Sequence, residues 1–154
     1  MEYVTSAHFE GCFLCIDAVT DHFEDNHVLM RDDLCMVVMN RFPYNSGAVL
    51  IAPLRHVGAL EDLTVQERTR VMDLTVTAIE ALKATMNPDG FNIGANLGAA
   101  GGAGVPGHMH MHVIPRWSGD TNFMPVVGDT KVLPETLEQS YSRLKLYFYG
   151  SPID

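Results

Sequence analysis

The spacing of apolar residues divides the chain into short strand-like runs and two longer helical stretches. His27–Arg31 and Leu34–Asn40 read as two strands joined by a tight turn at Asp32-Asp33. Ala48–Pro53 reads as a third strand, after the turn-forming run Pro43-Tyr44-Asn45-Ser46-Gly47. From Thr64 to Met86 the period becomes helical. Val71, Leu74, Ala78, Ile79, Leu82 and Met86 form one apolar stripe, and Thr64 with Glu67 makes a capping box. Asn87-Pro88-Asp89-Gly90 stops that helix. Phe91–Asn96 and His108–Arg116 read as two more strands, separated by a glycine-rich loop. Glu135–Tyr149 reads as a second helix, opened by Pro134 in its first turn. Strands in hairpin-like succession, with one helix between strand pairs, predict an α+β fold built on an antiparallel sheet.

Composition narrows the class. A chain of 154 residues, 47% hydrophobic and 19% charged, reads as a single globular domain over 1–154. No apolar run has the length of a membrane span, and the N-terminal residues lack the basic start and apolar stretch of a secretory signal. Three cysteines make no disulfide framework, so a cytoplasmic location is expected. The formal net charge of -9 argues against a nucleic-acid or membrane-surface partner, either of which favours a basic face. It leaves room for a small polyanion held by backbone amides and a few local cations.

The chemistry concentrates in three places. Residues 108–112 read His-Met-His-Met-His. In an extended strand His108, His110 and His112 share one face, with neighbours about 7 Å apart. Imidazole is costly in a core unless its nitrogens are paired, so three at period two point to metal ligands or to a nucleophile with flanking acid and base groups. A catalytic metal would normally recruit a carboxylate as well, and no Asp or Glu lies between residues 90 and 119. Cys12-Phe13-Leu14-Cys15, within an N-terminal segment of residues 10–20, supplies half of a structural zinc site. With no second thiolate pair, histidines must complete it, and His56 and one of the triple histidines are the natural partners. Cys35, amid Leu34, Met36, Val37 and Val38, is a core residue. The third place is the run 96–107, rich in glycine and alanine and leading directly into His108. Its glycines let backbone N–H groups approach a phosphate, although no Walker or Rossmann pattern is present.

His108-Met109-His110-Met111-His112-Val113-Ile114 resembles the His-φ-His-φ-His-φ-φ signature of the histidine triad (HIT) family, where φ is apolar. The resemblance extends to Val38–Tyr44, Gly47–Pro53 and Arg55-His56-Val57, and covers roughly residues 10–150 in collinear order. Residues 115–124 resemble the bacterial members of the Fhit branch, which act on dinucleoside polyphosphates.

The resemblance implies a five-stranded antiparallel sheet with two helices, paired across a two-fold axis into a homodimer with a continuous sheet. It implies that His110 attacks the α-phosphorus of a dinucleoside polyphosphate such as diadenosine tetraphosphate, forming a nucleotidyl-histidine intermediate. Hydrolysis, phosphorolysis, phosphoramidase action and simple nucleotide binding are all found under this signature. His112 is expected to contact the transferred phosphate and help protonate the leaving group. Asn40 takes the place of the ribose-contacting residue, and Asn96 that of the polar residue at the entrance to the phosphate loop. Gly102, Gly104 and Val105 are expected to offer phosphate-binding amides. In zinc-bearing relatives the metal is held by positions equivalent to Cys12, Cys15, His56 and His108, a closed four-ligand structural Zn2+ site; without zinc, His108 is expected to join the catalytic set by orienting the His110 nucleophile. Two positions depart from the pattern. Ala48 follows Gly47 where many relatives have His, and Gly102-Ala103-Gly104-Val105 replaces Gly-Gln-polar-Val, removing a side-chain amide for which Trp117 or Asn122 could compensate.

Overall fold

The structure is a computed structural model that describes residues 11–120 and 135–150. Short helix α1 (Phe13–Asp17) is followed by β1 (Val28–Arg31), β2 (Cys35–Met39) and β3 (Val49–Pro53). A 3-10 turn at Leu60–Asp62 leads into helix α2 (Val65–Met86). Strands β4 (Gly90–Gly94) and β5 (Met111–Arg116) and helix α3 (Leu137–Phe148) complete the described elements. The strands form one antiparallel sheet in the order β1-β2-β3-β5-β4.

Alternation along the strands supplies both sides of the sheet. Cys35, Val37, Met39, Val49, Ile51 and Val113 face α2 and α3 in the larger core. Met36, Val38, Leu50 and Ala52 face the opposite side, where α1 brings Cys12, Leu14 and Cys15 onto them. Because both faces are covered, β2 and β3 are buried at every position. Cys35 is a core residue, as its neighbours predict.

Helix α2 matches its periodicity closely. Thr64 caps it, and the capping box with Glu67 is complete. Glu67 is itself buried, with both carboxylate oxygens on the Arg55 guanidinium at 2.7 and 2.8 Å. Asn87 ends the helix in the left-handed conformation. Ile79 and Met86 sit at the border of the core, while Thr75 and Ala81 extend the buried stripe.

Three boundaries differ from the sequence expectations by more than one residue. Helix α3 begins at Leu137, two residues later than expected, because Thr136 and Gln139 form a capping box of their own; Pro134 lies outside the described residues. Strand β4 ends at Gly94, short of Asn96. Strand β5 starts at Met111 rather than His108. The register that pairs Ile51 with Met111 would set Pro53 opposite Met109, and proline has no N–H for the ladder. The Met109 N–H turns instead to Val57 O at 2.7 Å, and the His108 N–H to Val105 O.

Candidate active site and metal site

The three triad histidines do not stand equivalently on one strand face. His108 and His110 lie on the irregular segment before β5, and only His112 belongs to the strand. Each therefore has its own surroundings.

His108 is fully buried, and its Nε2 lies 2.8 Å from Pro53 O. A carbonyl only accepts, so Nε2 carries the proton and the lone pair sits on Nδ1. That Nδ1 lies 3.4 Å from Cys12 Sγ and 3.5 Å from Cys15 Sγ, while His56 Nδ1 lies 3.0 Å from Cys15 Sγ. The donor atoms of Cys12, Cys15, His56 and His108 all fall within 4.8 Å of one another. Tetrahedral zinc with N and S ligands requires donor separations of about 3.3–3.8 Å, so the cluster has the right size and donor chemistry for such an ion. Proton placement agrees. Burial pushes the His108 imidazole down to about 4, which keeps it neutral as a ligand must be. Burial, with the adjacent Cys12, pushes the Cys15 thiol up to about 12, so this thiol ionises at neutral pH only beside a cation.

Helix α1 supplies the thiols, and the segment after β3 supplies His56. Two glycines let that segment lie flat against the base of the glycine-rich loop. A Cβ on Gly107 would sit 2.9 Å from His56 Nε2, and one on Gly58 would sit 2.4 Å from Pro106 O. The candidate metal site and the loop are thus packed against each other.

His110 is buried at 5% exposure, and its Nδ1 lies 2.8 Å from the carbonyl of His108. By the same argument Nδ1 holds the proton, leaving the Nε2 lone pair free. His112 packs edge-on against His110, with ring centroids 5.0 Å apart. Its Nδ1 is buried and has no hydrogen-bond partner among the described residues. Burial, and then the neighbouring His110, lower its pKa, so the ring is neutral near pH 7 and still owns one N–H.

The remaining sequence candidates are placed unevenly. Asn40 is buried just beyond β2, and its Oδ1 accepts the Phe42 N–H, which leaves its Nδ2 as a donor. Asn96 donates from Nδ2 to Gly102 O and so braces the loop rather than pointing freely out of it. The Gly102 N–H is used within a turn on Ala99 O. The Gly104 and Val105 N–H groups make no hydrogen bond among the described residues, and Val105 anchors its side chain against the α1 core. Trp117 lines a cavity of about 310 Å³ with Ser46, Met86, Glu135 and Arg143, and no triad histidine shares that cavity. Asn122 lies outside the described residues.

Two contacts are not legible in the sequence. Asp17 is completely buried on α1 and takes the Arg41 guanidinium at 2.6 Å, while Arg41 lies over the Phe13 ring. This contact ties the thiol-bearing helix to the residue next to Asn40. Tyr44 lies 6.2 Å from His112, ring to ring. Tyr44 sits in a turn-forming run, and only the folded chain brings it to the triad.

The HIT domain family model matches residues 22–119, which include all three triad histidines. The chain belongs to the HIT family. Among HIT relatives, the AP-4-A phosphorylase of Mycobacterium tuberculosis is 42% identical over 117 residues, covering 76% of this chain and 60% of that protein. The asymmetrical bis(5'-nucleosyl)-tetraphosphatase of Schizosaccharomyces pombe is 33% identical over 95 residues, covering 62% of this chain and 52% of that protein. The chain thus spans little more than half the length of these two relatives. A Zn-bound histidine triad family protein of Mycobacterium smegmatis superposes with a TM-score of 0.74 at 22% identity, over 92% of this chain and 95% of that one. The HIT fold is therefore established for this chain, with α1 added to the expected sheet and helix pair.

Proposed function

We propose that the protein cleaves dinucleoside polyphosphates at the α-phosphate through a nucleotidyl intermediate on His110. The observation that carries this is the hydrogen bond from His110 Nδ1 to the His108 carbonyl, which aims an unprotonated Nε2 away from the backbone. Nε2 forms a bond to the α-phosphorus, and the bond from that phosphorus to the leaving polyphosphate oxygen breaks. The neutral His112 ring donates a hydrogen bond from its one N–H to that oxygen, which departs as an anion with the polyphosphate. An acceptor then attacks the same phosphorus and the N–P bond breaks, restoring His110. The free amides of Gly104 and Val105 hold phosphate oxygens, and Asn40 Nδ2 donates to the ribose.

Cys12, Cys15, His56 and His108 are proposed to hold zinc. When bound, the ion supplies a cross-link and no chemistry, since all four positions are filled by protein. Keeping Cys12 and Cys15 as thiols requires a reducing compartment, which favours the cytoplasm. We also infer a homodimer whose sheet continues across the two-fold axis.

The 42% identity to a protein named as a phosphorylase favours inorganic phosphate as the acceptor over water. Diadenosine tetraphosphate, incubated with and without phosphate, separates the two. ADP formed only with phosphate marks phosphorolysis, and AMP with ATP marks asymmetric hydrolysis. Replacing His110 by Asn should remove turnover by at least about a thousand-fold, the order lost when a nucleophile is deleted, while nucleotide binding survives. Turnover that persists in this variant overturns the nucleophile assignment.

A further inference from the structure

A groove beside the triad has no assigned role. His112 and Ile114 project from one face of β5, with Gly94 opposite the first and Asn92 opposite the second. Tyr44 closes the groove from the β2–β3 loop, its ring tilted 59° to that of His112. The groove is open to solvent and holds about 290 Å³, bounded by Tyr44, Asn92, Asn96, His112, Ile114 and the backbone at the end of β4. That volume is at the lower edge of small-molecule sites.

The lining says what kind of group fits. Among the described residues that bound the groove there is no Lys, Arg, Asp or Glu. The nearest cation along β5 is Arg116, and Asp120 holds it through two hydrogen bonds of 2.7 Å. A third guanidinium nitrogen donates to Asn92 Oδ1 at 2.8 Å, which leaves the Asn92 Nδ2 as a donor. A polyphosphate would find no net positive charge here. An uncharged flat heterocycle would find an aromatic ring, an aliphatic floor at Ile114 and amide edges, the surfaces on which nucleobases stack and pair.

Position decides which nucleoside. Strand β5 lies between β3 and β4, so Asn40, beyond β2, and β4 are on opposite sides of His112. A substrate with its α-phosphate at His110 and its ribose at Asn40 extends its other end toward β4. We infer that this groove is the subsite for the second, departing nucleoside of the substrate, with Tyr44 as its stacking surface. The assignment rests on the proposed function, which it deepens by giving the leaving group a place to bind.

The test is equilibrium binding in the full chain carrying His110→Asn, so that ligands remain intact. Diadenosine tetraphosphate, ATP and AMP are titrated into that protein and into versions that also carry Tyr44→Ala or Tyr44→Phe. Tyr44 is 57% exposed, so its truncation should leave the fold intact, which a thermal melt verifies. Tyr44→Ala should raise the Kd of diadenosine tetraphosphate about ten-fold more than that of ATP or AMP, and Tyr44→Phe should restore most of the difference. Equal losses for diadenosine tetraphosphate and ATP would place the polyphosphate in the groove and overturn the assignment. Equal losses for all three ligands would assign Tyr44 to the transferred nucleotide, and no loss for any would leave the groove without a ligand. Wild-type turnover is measured separately. Its absence alongside Tyr44-dependent binding would sink the enzymatic reading and leave the subsite standing.

Discussion

At the scale of single residues, proton placement organises the site. The carbonyls of Pro53 and His108 accept from the His108 and His110 rings and so fix which nitrogen of each is free. His108 turns its lone pair toward two thiols, and His110 turns its lone pair away from the backbone. Residue types and spacing pointed to this chemistry, but the division of labour depends on partners as far as 96 residues apart in sequence. Glu67 is another residue whose role depends on a partner outside its own helix. It completes the α2 capping box and also accepts both hydrogen bonds from Arg55, the neighbour of metal-ligand candidate His56. Those hydrogen bonds hold its pKa below the usual carboxylate value. A carboxylate with a depressed folded pKa contributes stability that is present above its unfolded value and lost as pH falls through the folded one. Glu67→Gln should therefore lower stability at pH 7 by about 1.5–3 kcal/mol, the range for hydrogen bonds to a charged group. It should also flatten the loss of stability between pH 5 and pH 3, in a range of about two units set by carboxylate titration. Urea unfolding of both proteins across that range checks both effects.

At the scale of elements, α1 is the weakest piece taken alone. Five residues with no side-chain cap cannot hold a helix in water. Its place comes from Leu14 against the sheet, from the Asp17–Arg41 pair, and from the thiols beside His56 and His108. Periodicity could not announce a helix this short, whereas it announced α2 to within one residue of its start. If zinc provides the anchor, Cys12→Ser should abolish stoichiometric metal, and amide exchange within Phe13–Asp17 should rise by at least about ten-fold as the helix undocks. His110→Asn should keep its metal. Metal analysis with hydrogen exchange checks this, and unchanged metal content in Cys12→Ser would remove α1 from the site.

At the scale of the whole molecule, the two sheet edges are unlike each other. Helix α3 covers β1, where the Tyr141 and Tyr149 hydroxyls both donate to Val28 O. On β4, Asn92, Ile93 and Gly94 are exposed, Ile93 by 47%. An open edge with an apolar side chain is the natural place to continue the sheet into a second copy. Light scattering should give twice 17.0 kDa for the native protein, and Ile93→Lys should shift it to the monomer mass. A native monomer, or an unshifted dimer in the variant, would rule out this edge.

The sequence by itself determined which atoms were on hand: the metal-ligand types, the triad, the glycine run and the two long helices, with the capping box of the first. These are local properties, set by residue identity and by spacing along a few turns or pleats. Only the tertiary structure decided what the atoms do. Pro53 cut the β5 ladder short and so separated His108 and His110 from His112. Cys12 met His108 across 96 residues, and Tyr44 met His112 from a distant turn. Hydrogen bonding and ring packing depend on where the whole sheet brings groups together, and no period along the chain encodes that.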